Sequence, residues 1–106
     1  MTTTINSKYK FRGGARIGPW TTSWPFCTLE ISHDSLIIHD EMLKKALVLL
    51  KNEVVKVEIK KYFPVIGYFI KINHTKNDYS NVAYFGIFSF GFGKLTNALR
   101  ECGWLS

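Results

Sequence analysis

The chain is poor in the residues that staple a fold or carry out catalysis. Its two cysteines, Cys27 and Cys102, stand 75 positions apart by their numbers, with no CxxC spacing. That spacing offers neither a paired-thiolate zinc site nor a dithiol redox motif. No HExxH, nucleophile elbow or Ser-His-Asp spacing occurs, and the glycines of GGARIG precede no helix, so no phosphate cradle at a helix N-terminus is predicted. Acidic residues are scarce, with 8 Asp and Glu against 14 Lys and Arg, a formal charge of +6. The excess favours anionic partners without choosing among lipid headgroups, nucleic acid and acidic peptides. No run approaches the roughly 20 apolar residues that span a bilayer. The densest stretch, residues 82–92, is interrupted by Gly86, Ser89 and Gly91. Residues 1–7, MTTTINS, lack the basic-then-apolar pattern of an export signal and are expected to form a disordered tail. Free thiols in the cytoplasm are the matching expectation for the cysteines.

The chain does have a core. Hydrophobic residues make up 46% of its 106 positions and aromatics 15%, enough for one domain, residues 8–106, without staples. The dominant pattern is period two. Tyr9, Phe11, Gly13, Ala15 and Ile17 alternate with Lys8, Lys10, Arg12, Gly14 and Arg16, an apolar face backed by a basic one. Gly13-Gly14 inside the run predicts a bulge or a close backbone approach. Gly18-Pro19 breaks the strand, and residues 20–25 read as a turn. A strand at 26–32 and another at 35–40 flank His33-Asp34 as a hairpin. Residues 41–53 fit helix or strand. The β character of the flanks favours a strand at 45–50 and a turn at 51–53. Val55, Val57 and Ile59 alternate with Lys56, Glu58 and Lys60, and Tyr68, Ile70 and Ile72 with Phe69, Lys71 and Asn73. Residues 81–88, apolar on both faces, read as a doubly buried strand. Phe92, Leu95, Leu99 and Cys102 then share one face of a closing helix, with Gly103 placed for a left-handed cap. About seven strands joined by loops too short for crossovers must pair antiparallel and curl over their own apolar face.

Three stretches carry a family resemblance: FRGGARIGPWTTSWPFCTLEI, LLKNEVVKVEIKKY and LTNALRECGW. In their glycine pair, Trp-Pro pair, strand–turn–strand and Gly-plus-aromatic helix end, they resemble small bacterial stand-alone members of the pleckstrin-homology-like (PH-like) superfamily. The resemblance implies a PH-like barrel: seven antiparallel strands in two near-orthogonal sheets, capped by a C-terminal helix. It also implies a non-catalytic binding or adaptor module for a protein partner or an anionic membrane surface, without a cofactor. Lipid-binding members of that superfamily often use basic residues of the first two strands, the ground Lys10, Arg12 and Arg16 occupy here. The loop GPWTTSWP, however, lacks a dense basic cluster.

Candidate sites follow. The basic face of the first strand, Lys8, Lys10, Arg12 and Arg16, suits anions, or else is simply a solvated outer face. The turn Lys60, Lys61, Tyr62, Phe63, Pro64, Val65, Ile66 pairs lysines with an apolar tip that suits a headgroup region or a protein partner, unless Phe63 and Ile66 fold back over the barrel end. Trp20 and Trp24 are expected to cap the core, with Pro25 fixing the turn. His33-Asp34, His39-Asp40 and Glu41 are expected to be solvated polar groups, since His33 and His39 lie on different faces and His74 is remote. The run of residues 85–92 is expected to be buried, the alternative being an edge for homo-oligomerisation. Nucleic acid is disfavoured as a partner, because the basic residues are not interleaved with aromatics on one sheet face. The expected location is cytoplasmic, with peripheral contact at the inner membrane face as the extension of the membrane reading.

Overall fold

The computed structural model describes residues 9–62, 67–76 and 81–105. The expected tail, residues 1–7 with Lys8, and the tip formed by Phe63, Pro64, Val65 and Ile66 lie outside the described residues, as does the side chain of Lys61. Seven strands and one helix follow in chain order. They are β1 (Tyr9–Ile17), β2 (Trp20–Ile31), β3 (Ser35–Asp40), β4 (Lys45–Leu50), β5 (Val54–Tyr62), β6 (Gly67–His74), β7 (Val82–Phe88) and α1 (Ser89–Glu101). A 3-10 turn, Lys51–Glu53, joins β4 to β5.

All seven strands belong to one antiparallel ladder in the order β4-β3-β2-β1-β7-β6-β5. Two meanders are therefore joined where β1 meets β7, through Gly14 to Ile17 against Gly86 to Ala83. The outermost strands, β4 and β5, are consecutive in the chain, yet only the three residues of the 3-10 turn separate them. At about 3.5 Å per residue, that link forces the sheet to curl into a half-barrel. Leu50 N–H donates to the Glu53 carboxylate at 2.9 Å and tightens the turn. Lys76 Nζ donates to the Val48 carbonyl at 3.0 Å and Thr75 N–H to the Glu53 carbonyl at 2.9 Å, tying the end of β6 to β4 and to the turn.

Inside the curl, Leu29, Ile31, Leu36, Ile38, Leu49, Ile70, Ile72 and Phe85 are fully buried. Each such side chain contributes about 1.5–3 kcal/mol. Helix α1 covers them with Leu95, Leu99 and Cys102, the face its spacing predicts, and Phe92 stacks on Tyr68 with ring centroids 4.0 Å apart. The helix ends in a Schellman arrangement. Gly103 takes φ 84°, its N–H donates to Arg100 O, and Trp104 N–H donates to Leu99 O at 2.8 Å. The Trp104 indole N–H donates to Ser32 O at 2.8 Å, and Lys51 Nζ lies 3.8 Å over that ring while donating to Cys102 O. The helix end is thus clamped to the β2–β3 turn.

Three expectations are corrected. Residues 20–25 continue β2 instead of forming a turn, because Gly18 at φ 59° and Pro19 alone reverse the chain. Val55 is 70% exposed, because the β5–β6 register slips by one residue between Val54 and Lys56 and leaves it bulged out of the apolar face. β7 is a central strand with only its Ala83 and Phe85 face closed; Tyr84 on the other face is half-buried. The run containing it therefore forms no sheet edge; the edges are β4 and β5.

Both cysteines are buried and neither is in a disulfide. Burial, with the Asp40 carboxylate nearby, pushes the Cys27 thiol up to about 11. Below about pH 9 both folded and unfolded chains keep that proton. Between pH 9 and 11 only the unfolded chain loses it, so stability falls as pH rises through that window. Cys27→Ala is expected to flatten this alkaline loss in denaturant titrations. Gly13 supplies a second prediction. A Cβ there would fall on the Gly86 carbonyl oxygen and 2.8 Å from the Phe85 ring, whereas a Cβ on Gly93, inside α1, meets nothing within 4 Å. In chemical denaturation Gly13→Ala should cost about 3 kcal/mol, and Gly93→Ala should add about 0.5–1 kcal/mol.

Candidate functional site

One corner of the half-barrel gathers apolar side chains that the core does not take. Gly13 pairs with Cys27, but Ala15 pairs with Thr22, so residues 23–26 of β2 bulge opposite the single residue Gly14. Gly14 is required there: a Cβ would lie 2.9 Å from both the Thr22 carbonyl oxygen and the Trp24 amide nitrogen. The bulge contains the cis Trp24-Pro25 bond and turns Trp24 and Phe26 outward, 47% and 42% exposed. Arg12 Nη1 donates to the Pro25 carbonyl at 2.9 Å, and Glu41 N–H donates to Phe26 O at 2.9 Å, tying the bulge to β1 and to the β3–β4 turn.

That turn, residues 41–44, is organised by a buried carboxylate. Asp40 Oδ1 accepts the N–H groups of Met42 and Leu43 at 3.0 Å each, and its Oδ2 accepts the Thr22 hydroxyl. Lys44 adopts φ 55°. Met42 and Leu43 are thereby displayed, 62% and 41% exposed, beside the bulge. Trp20 sits at the barrel mouth, where Ala15, Ile17, Ile38, Leu43 and Leu47 help line a dent with room of about 20 Å³, enough for one water. Lys45 Nζ lies 4.6 Å over the Trp20 ring. The expectation that both tryptophans cap the core is therefore corrected. Trp20 covers the mouth with its edge in solvent, and the wide bulge carries Trp24 away from it.

The described part of the basic face of β1 is not purely basic. Lys10, Arg12 and Arg16 are exposed on the outer face. Glu41 approaches Arg12 at 3.4 Å, and Glu30 lies 2.6 Å from His39 Nε2. These groups line an open trough of about 490 Å³ with Phe11 and Thr28, its charges mixed. Asp40 faces inward and His39 outward, so this doublet cannot converge on one ion. His33 and Asp34 are exposed in their turn. Among the described residues, no group of three His, Cys, Asp or Glu side chains is placed to hold a metal. Buried His74 accepts the Lys76 N–H at Nδ1, and burial holds its pKa below the usual imidazole range.

Strand register brings together what the sequence keeps apart. Arg16 pairs with Tyr84, Tyr84 with Lys71 and Lys71 with Glu58, one row across β1, β7, β6 and β5. Phe69, paired with Lys60, packs edge-on against Tyr84 with centroids 5.5 Å apart. Basic and aromatic residues are interleaved on this outer face, contrary to expectation. No periodicity in the sequence shows this, because Phe69 and Tyr84 meet only through the β6–β7 register. No described helix is long and apolar enough to cross a membrane. No protein-family model matches the chain, and no curated protein matches it.

Asp40→Ala removes the acceptor of two turn amides and a buried hydroxyl. It should cost about 1–3 kcal/mol in urea denaturation, whereas Glu41→Ala, exposed opposite Arg12, should change stability by less than about 1 kcal/mol.

Proposed function

We propose that the chain is a non-catalytic binding module of PH-like type that docks on an anionic membrane surface through its aromatic corner. The observation that carries this reading is the display of Trp24 and Phe26 on a strand bulge and of Met42 and Leu43 on the adjoining turn. Isolated exposed apolar residues need no explanation, but a contiguous group held outward by a bulge and a carboxylate-locked turn does. Tryptophan suits the headgroup level, where its ring is apolar and its N–H stays wet. Lys44, Lys45 and Arg12 flank the group with positive charge for lipid phosphates. The two-sheet PH-like arrangement belongs to the same proposal. It is supported by the strand count, the division into two meanders and the capping helix. A protein partner with an acidic rim and an apolar centre is the competing occupant of this corner.

Sedimentation with vesicles of phosphatidylglycerol and phosphatidylcholine, against phosphatidylcholine alone, distinguishes these occupants. The chain is expected to bind the anionic vesicles in a salt-sensitive way, and Trp24→Ala with Phe26→Ala to weaken binding about tenfold, the loss of part of two buried aromatics. Absence of anionic-vesicle binding at low salt defeats the membrane reading.

A further inference from the structure

The +6 charge is unevenly placed. On the outer face of β2, β3 and the first half of β1, Lys10 and Arg12 are met by Glu30 and Glu41. On the other half, among the described residues, Arg16, Lys56, Lys60 and Lys71 face one carboxylate, Glu58. Glu58 registers that field. A hydrogen bond from Lys56, whose Nζ is 3.1 Å away, and attraction from Lys56, Lys60 and Lys71 hold its carboxyl below the usual range against partial desolvation. Two aromatic rings lie within this positive area, Tyr84 between Arg16 and Lys71, and Phe69 beside Lys60.

Gly86 occupies the outer face of β7 between Phe69 on β6 and Gly14 on β1. A Cβ on Gly86 would make only ordinary contacts, 3.8 Å from Phe69 Cβ and from the Tyr68 carbonyl oxygen. Packing therefore does not demand glycine there, although glycine weakens a strand interior. Its effect is to leave a shelf at Gly86 beside the two rings, bounded on the β1 side by the β2 backbone that lies over Gly14. Strand glycines mark bulges, bends and places where another backbone or a ligand comes close to the strand.

We propose that the outer face of β1, β7, β6 and β5 binds single-stranded nucleic acid, with bases stacked at Tyr84 and Phe69 over the Gly86 shelf and phosphates on Arg16, Lys71, Lys60 and Lys56. Unpaired bases present π-faces to aromatic side chains while cations track the backbone. Duplex bases are stacked on each other and present only edges. A bilayer is the poorer fit, because these rings are half-buried among cations, whereas the corner side chains Trp24 and Met42 are more exposed. This proposal uses a different surface from the membrane reading and does not depend on it.

Fluorescence anisotropy with a labelled oligothymidylate of about 16 nucleotides, at the upper end of site sizes for a small barrel, tests the proposal. The wild-type chain should bind, with log affinity falling against log salt at a slope of about −2 to −3, from three or four neutralised phosphates. Lys60→Glu with Lys71→Glu should lower affinity at least about tenfold. Tyr84→Leu should lower it about tenfold, and Gly86→Ala should lower it with the melting temperature unchanged or raised. Heparin, a polyanion without bases, should bind Tyr84→Leu as it binds wild type. Trp24→Ala with Phe26→Ala should leave oligothymidylate binding intact. Absence of oligonucleotide binding at low salt overturns the proposal. So does normal affinity in both Tyr84→Leu and Gly86→Ala, which would mark a generic polyanion surface. Loss of anionic-vesicle binding on Lys60→Glu with Lys71→Glu, without loss of oligonucleotide binding, would assign the face to a membrane and also overturns it.

Discussion

Three residues between β4 and β5 set the architecture. A seven-stranded sheet whose outermost strands follow each other in sequence cannot lie flat when Lys51–Glu53 is all that joins them. Curling is therefore a covalent consequence as well as a hydrophobic one. Gly13 makes the curl possible at the opposite side, since β7 can approach β1 closely only where no Cβ intervenes. The helix then fills the open side, and its Schellman end puts Trp104 in reach of both Ser32 and Lys51. Link, close approach and clamp each hold a different pair of elements. Together they fix the interior that Phe85, Leu95 and Leu99 share.

Much of the polar chemistry is engaged in holding this shape. Asp40 sets the β3–β4 turn, Arg12 holds the bulge, Lys51 holds the helix end, and Lys76 ties the end of β6 to β4. What stays available for partners is of two kinds in two places. Exposed apolar side chains crowd one corner, while cations and half-buried rings occupy the face of β1, β7, β6 and β5. The dent at the barrel mouth has room for about one water.

The local devices were legible in the sequence. The Gly13-Gly14 pair proved to be both the bulge and the close approach, because each glycine answers a different steric demand. The strand Lys45–Leu50 was correctly chosen over a helix from its β neighbours, and the helix face from its three-and-four spacing. What failed was information that lies between strands. Trp20 to Pro25 carry turn residues, yet Trp20, Thr21 and Thr22 pair with β1, and Ser23, Trp24 and Pro25 continue the strand as part of its bulge. The Arg12–Glu41 approach spans 29 positions and the Phe69–Tyr84 contact 15, and neither register can be read from residues that alternate equally well in either alignment. Because β7 is apolar on both sides, its sequence carries no period that tells which face Tyr84 takes.

The three tryptophans inhabit two environments. Trp104 is 9% exposed beneath an ammonium group, while Trp20 and Trp24 meet solvent at one corner. The indole emission of the chain is therefore a sum of a shielded component and a quencher-accessible one. Loosening of the helix end alters the first, and occupation of the corner alters the second. The molecule carries two built-in optical reporters, one for the integrity of its clamp and one for contact at its rim.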